Sequence, residues 1–191
     1  MPSRRSKPDH PPSRRAAPEI ERTLALAKKV TDVTGCPVVG GLAVALHGWP
    51  RYTGDIDIYS TDFWETHRKL EAAGYFWDKD HREHVIDSVA IHMVKDDSLG
   101  GPPKRISTIK GVKVIGLADL IRGKLTVGLE EVHRRKDILD VLELIRIIPL
   151  KKDFAAKLPK HLRAPFKELV DDIHGPRRTT VPPLKFWKQF A

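Results

Sequence analysis

The chain has 191 residues, 40% hydrophobic and 31% charged, the composition of a globular domain with a real core and not of a disordered or fibrous chain. No apolar run approaches the roughly 18 residues of a membrane span, and Cys36 as the single cysteine excludes an intrachain disulfide and fits a reducing cytoplasm. The net charge of +9 is uneven, +4 in residues 1–18, −1 in 19–149 and +6 in 150–191, so a near-neutral middle lies between basic ends suited to a polyanion gripped through its phosphates.

Residues 1–18 hold Pro2, Pro8, Pro11, Pro12 and Pro18 with the pairs Arg4-Arg5 and Arg14-Arg15. They are too rich in proline and too poor in apolar residues to fold alone, and read as a disordered basic arm without the apolar stretch of a secretory signal. A helix is expected over 18–33. Val38-Val39 then reads as a short apolar strand, Gly40-Gly41 as a turn with freedom at positive φ, and 42–47 as a short helix. A strand follows in which Asp55 and Asp57 alternate with Ile56 and Ile58.

Further on, the pattern predicts a helix over 62–73 closed by Gly74, and strands at 84–86 and 89–94 joined by an Asp87-Ser88 hairpin turn. Residues 96–104, with Gly100-Gly101-Pro102-Pro103, read as a flexible loop. A strand at 112–115 leads into helices at 117–129 and 133–147. The segments 151–157 and 161–174 look helical, with Phe154, Leu158, Leu162, Phe166, Leu169 and Val170 at spacings that form an apolar seam, and Pro176 ends the pattern. The last residues mix Lys185 and Lys188 with Phe186, Trp187 and Phe190, a set that stacks on bases or docks on the protein's own core. The expected organisation is a basic arm at 1–18, an α/β (α+β) domain with a mixed sheet and flanking helices at 19–148, and a basic helical extension at 149–191.

The chemistry concentrates at the acid pair. On a strand, Asp55 and Asp57 point to one face while the isoleucines point into the core. Two neighbouring carboxylates repel unless a cation lies between them, and a pair of this kind suits Mg²⁺, which takes oxygen ligands together with substrate phosphates. The Gly40-Gly41 turn opening a helix lets backbone N–H groups approach a phosphate. Taken singly, a Gly-Gly pair merely turns the chain and D-x-D occurs on many surface strands; their conjunction points to a metal-phosphate site.

The run from Val38 to Tyr59, a glycine turn, a small-residue helix and then R-x-T-x-D-I-D, resembles the signature of the nucleotidyltransferase superfamily with its polymerase-beta-like fold, and within it the AbiEii-type toxins and minimal nucleotidyltransferases. Leu117-Ala118-Asp119-Leu120-Ile121 with Lys124-Leu125, followed by Arg135-Lys136-Asp137 and Asp140, is similar to the family's helical segment. The resemblance implies that Gly40 and Gly41 hold nucleotide phosphates, that Asp55 and Asp57 ligate Mg²⁺ or Mn²⁺, that Lys124 contacts phosphate, and that Arg51, Thr53, Lys136 and Asp137 belong to the same nucleotide-binding site. The other reading of Lys124, Lys136 and Asp137 is a solvated helix face. Asp137 and Asp140, three apart, also suit a structural anchor for Arg134 or Arg51.

One departure matters. Where the family carries a third carboxylate on the next strand, Val89-Ala90-Ile91-His92-Met93-Val94 offers His92. Three readings stay open: His92 acts as general base, its ordinary pKa of about 6.5 suiting proton transfer near neutrality; Asp87, Asp96 or Asp97 supplies the missing oxygen; or the site binds nucleotide without turning it over. A zinc cluster of His81, His84 and His92 lacks a fourth ligand or CxxC partner, and no GxxxxGK[ST] motif is present. The expected function is metal-dependent transfer of a nucleoside monophosphate from an NTP to RNA, tRNA or a protein hydroxyl. A toxin with a cognate antitoxin is one form of it, and a non-catalytic module binding nucleotide or nucleic acid is the alternative.

Overall fold

The computed structural model describes residues 16–51 and 53–175; the basic arm up to residue 15 and the basic-aromatic segment at 181–191 lie outside them. In chain order the elements are α1 (Ala16–Thr34), α2 (Gly40–Leu46), β1 (Asp55–Tyr59), α3 (Phe63–Ala72), β2 (Phe76–Asp78), β3 (Glu83–Ile86), β4 (Val89–Val94), β5 (Ile106–Ile109), β6 (Val112–Ile115), α4 (Leu117–Glu130), α5 (Arg135–Ile147) and α6 (Lys160–His174). This is the mixed α/β core with flanking helices that the alternating patterns predict. Among the described residues no helix is long and apolar enough to cross a membrane.

The main sheet runs β1-β4-β3-β2, with β1 parallel to β4 and the other pairs antiparallel. A separate hairpin pairs β5 with β6. Val38 joins the two, because its N–H donates to Lys113 O (2.8 Å) and its carbonyl accepts from Ile115 N (3.1 Å), while Val39 N donates to Asp57 O (2.9 Å). The expected strand at Val38-Val39 is therefore a single bridging residue between β1 and β6.

β1 alternates as the sequence pattern requires: Ile56 and Ile58 are fully buried, while Asp55, Asp57 and Tyr59 are half-buried on the opposite face. The isoleucines pack in one core with Val38, Leu42, Ile91, Val114, Leu120 and Ile121. Phe166, Leu162 and Leu169 of α6 belong to that same core, as the apolar seam predicts. The hairpin at Asp87-Ser88 forms with both residues at positive φ, 49° and 64°, which matches a two-residue primed turn and sets the β3–β4 register. Two strands were not legible, β2 and β5; both are short, and their exposed positions Phe76 and Ile106 break the apolar alternation.

The segment read as a flexible loop is instead anchored. Residues Asp96–Leu99 form a 3-10 turn with Leu99 buried. The buried Arg122 guanidinium donates to the carbonyls of Leu99 (2.8 Å), Gly101 (2.7 Å) and Pro102 (2.9 Å). The glycines and prolines remove side-chain contacts, and one arginine from α4 supplies the contacts that hold the backbone.

Candidate functional site

Asp55 and Asp57 project from β1 into a cleft of about 390 Å³ walled by the Gly40-Gly41 turn, β4 and α4. The β1–β4 register sets Asp57 beside His92. Nδ1 of His92 lies 3.5 Å from Asp57 Oδ1 and 3.9 Å from Asp55 Oδ2, and the three side chains bring donor atoms within 4.8 Å of one another. Thr53 donates its hydroxyl to Asp55 Oδ1 at 2.5 Å and so fixes that carboxylate's rotamer.

The glycines are required by contact. Gly40 adopts φ +62°, and a Cβ there would stand 2.0 Å from Asp57 Oδ2, so any side chain would expel the carboxylate from its place. At Gly41 a Cβ would meet Thr53 Oγ1 at 3.0 Å and Arg51 Nη2 at 3.3 Å. The turn predicted from Gly-Gly thus presses Gly40 directly against Asp57 and Gly41 against Thr53, the residue that holds Asp55.

His92 is more than a substitute for an acid. Its Nε2 lies 2.7 Å from Glu83 Oε2. The carboxylate of Asp57 foremost, then that of Glu83, outweigh partial burial and push the imidazole pKa up to about 9. At neutral pH the ring is therefore a cation donating toward Asp57 and to Glu83, and in this state it holds no lone pair for a general base. Continuing the β3–β4 register by one step sets Glu83 opposite His92, and β2 sets Asp78 opposite Glu83. A row of ionisable side chains, Asp57, His92, Glu83 and Asp78, consequently crosses all four strands.

Glu83 escaped the sequence reading although a signal existed: with Asp87-Ser88 as a two-residue turn, counting outward from it pairs 83 with 92. The other candidates for the missing oxygen lie elsewhere. Asp96 accepts a hydrogen bond from the Tyr59 hydroxyl (2.6 Å), and Asp87 offers its backbone carbonyl to Arg22 (2.9 Å). His84 is turned to the other face, fully buried, with Nε2 3.0 Å from His67 Nδ1, and so does not join His81 and His92.

Behind the acid pair lies a buried ion network. Arg51 Nη1 donates to both oxygens of Asp140 at 2.7 Å. Lys124 Nζ reaches Asp137 Oδ1 and Asp140 Oδ2, each at 2.7 Å, and Arg134 Nε lies 2.8 Å from Asp137 Oδ2. Lys124, Asp137 and Asp140 are all at least nine-tenths buried. The structure thus makes Asp137 and Asp140 anchors for Arg134 and Arg51, and replaces the solvated-face reading of Lys124 and Asp137 by a buried network. Three cations share two carboxylates, which leaves the cleft wall positive. Arg134 Nε and Asp137 Oδ2 lack a well-aligned hydrogen bond despite their proximity, and Lys136 is exposed at the cleft's rim.

No protein-family model matches this chain, and no curated protein matches it. Among solved structures it is similar to the crystal structure of a "putative nucleotidyltransferase" from Thermotoga maritima, at 19% sequence identity and TM-score 0.43, covering 64% of this chain and 94% of the other. A likeness of that size assigns no activity.

Proposed function

We propose that this chain is a metal-dependent nucleotidyltransferase that moves a nucleoside monophosphate from an NTP to an acceptor hydroxyl. The observation that carries the reading is the Asp55–Asp57 pair, side by side on one face of β1 and opening into a cleft whose other walls are a close-approach glycine turn and a positively charged network. A cleft of about 390 Å³ falls within the range of small-molecule sites.

The residues fit a divalent ion. Two carboxylates and one imidazole nitrogen gather within 4.8 Å, an oxygen-rich set whose nitrogen suits Mn²⁺ at least as well as Mg²⁺. Asp55 and Asp57 would hold the ion, with His92 Nδ1 as a third donor once its proton has left. When bound, the ion supplies neutralisation of triphosphate charge. The chain's own residues do the rest. Thr53 and Gly40 keep the two carboxylates in position, and the excess cation shared by Arg51, Lys124 and Arg134 attracts the phosphates into the cleft. Lys136 meets them at the rim. The acceptor hydroxyl oxygen attacks the α-phosphorus in line and gives up its proton to solvent water, the bond from that phosphorus to the bridging oxygen breaks, and pyrophosphate leaves.

A second reading is favoured by His92. A protonated imidazole beside Asp57 already compensates the acid pair, which suits a nucleotide-fold module that binds without turnover. Incubation with labelled NTPs, Mg²⁺ or Mn²⁺ and either total RNA or protein separates the two. Label transfer by the wild type and none by the Asp55→Ala, Asp57→Ala double variant supports the enzyme; nucleotide binding without transfer supports the module. The finer form, a cytoplasmic toxin-like enzyme neutralised by an antitoxin and acting on RNA or tRNA, is motivated by the R-x-T-x-D-I-D resemblance. It predicts growth arrest on expression of the wild type and normal growth with the double variant.

A further inference from the structure

A second cavity of about 450 Å³ opens where α2, the β5–β6 hairpin, the N-terminus of α4 and the segment before α6 meet. It lies on the far face of α4 from the carboxylate cleft. Leu120, Gly123, Lys124 and Val127 line the cleft, whereas Ala118, Asp119 and Arg122 line the second cavity, and those two sets occupy opposite sides of the helix at 3.6 residues per turn.

Its lining holds four cations, Lys104, Arg105, Arg122 and Lys157, against one carboxylate. That carboxylate is spent on the protein: Asp119 Oδ2 accepts from the backbone N–H groups of Lys104 and Arg105, each at 3.0 Å, and Oδ1 lies 3.1 Å from Arg122 Nη1. Arg122 is itself committed to the three loop carbonyls. The Lys104, Arg105 and Lys157 side chains are exposed and make no ion pair among the described residues; Lys157 Nζ stands 4.9 Å from the centre of the Phe154 ring. α4 opens into the same space at Gly116, which brings no capping side chain. Leu117 and Phe154 supply an apolar wall between these charges.

We propose that this cavity seats one nucleotide of a single-stranded RNA, upstream of the acceptor end, with the phosphodiesters on either side of it and their neighbour on Lys104, Arg105 and Lys157 and its base against Leu117 and Phe154. The inference rests on the nucleotidyltransferase reading for the role of that RNA as acceptor. The strand, and not a free nucleotide, is the occupant that matches these observations: three exposed cations from two segments, with no ion-pair partner among the described residues, bring more positive charge than one phosphodiester neutralises, and the neighbouring phosphates of a strand complete the match.

The test is binding of a short fluorescein-labelled single-stranded RNA to the full chain by anisotropy across a salt series. The Lys104→Ala, Arg105→Ala, Lys157→Ala triple variant is expected to bind about tenfold more weakly and to lower the salt slope by about 2, at roughly 0.7 per phosphate contact. A charge-matched control at the exposed Lys29, Lys79 and Lys167 loses far less. RNA carrying 4-thiouridine should crosslink to peptides spanning residues 104–107 and 154–159. Unchanged affinity in the triple variant, or crosslinks confined to residues 1–15 and 176–191, overturns the proposal. So does a nucleoside monophosphate that occupies the cavity as tightly as the strand. The Asp55→Asn, Asp57→Asn variant keeps RNA binding while losing transfer, so failure of the catalytic reading and failure of this one give different results.

Discussion

Two clusters of charged side chains face the same cleft and differ in what compensates them. In the network behind the wall, Lys124, Asp137 and Asp140 are buried and each charge meets an opposite one at 2.7 or 2.8 Å. At the mouth, Asp55 and Asp57 are neighbours of like sign, with side chains 44% and 24% exposed, and among the described residues the cation beside them is a histidine shared with Glu83. Burial requires each buried charge of the first cluster to touch an opposite one, because an unpaired charge there is costly, and the one cation in excess falls to the partly exposed arginines, Arg51 and Arg134. Water tolerates the second as it stands, and its incompleteness is what a ligand can exploit. Residue type does not separate structural from functional charge; what each charge is left facing does.

The largest effect expected from breaking this contrast is on stability. Lys124→Met leaves Asp137 without its closest cation and weakens Asp140, and should lower the unfolding free energy by about 3–5 kcal/mol, the usual range for one partner lost from a buried pair, read as a shift in urea midpoint at unchanged slope. By contrast Asp55→Asn, in the half-exposed cluster, should shift that midpoint little while removing divalent-ion binding. A midpoint that moves more for Asp55→Asn than for Lys124→Met reverses the assignment of the two clusters.

Gly40→Ala comes next. Its Cβ would collide with Asp57 at φ +62°, and the left-handed backbone adds about 1–2 kcal/mol of strain. Isothermal titration with Mn²⁺ should show weakened binding, together with the lower stability. Binding equal to wild type would mean that Asp57 does not need its present position.

The smallest effect concerns His92 in the metal-free protein. Its pKa is raised from 6.5 to about 9, so its contribution is fully present below about 6.5 and is lost as pH rises through about 9. Imidazole NMR should find the high value, lower in Asp57→Asn and lower again on adding a diamagnetic divalent ion. A titration near 6.5 in wild type would remove the ion pair from the account.

Much of this site was readable because alternation is a strong signal. Asp55-Ile56-Asp57-Ile58 fixes which faces the acids and isoleucines take, and the β4 bounds of Val89–Val94 coincide with the expected strand. Asp137 and Asp140 fell on one helical face by spacing alone, although whether that face meets solvent or Lys124 depends on how α4 and α5 pack, which spacing does not contain. Glu83 required the hairpin register to be carried one residue beyond the expected strand. The role of Arg122 was invisible, since a charged helical residue gives no sign that it will be buried against loop carbonyls.

The central claim is that Asp55 and Asp57 hold a divalent ion next to a nucleotide. It is tested most directly by Mn²⁺ electron paramagnetic resonance titration with a non-hydrolysable NTP analogue present. The account predicts one tightly bound ion per chain, strengthened by the analogue and abolished in Asp55→Asn, Asp57→Asn; equal binding by wild type and double variant, or none by either, would contradict it.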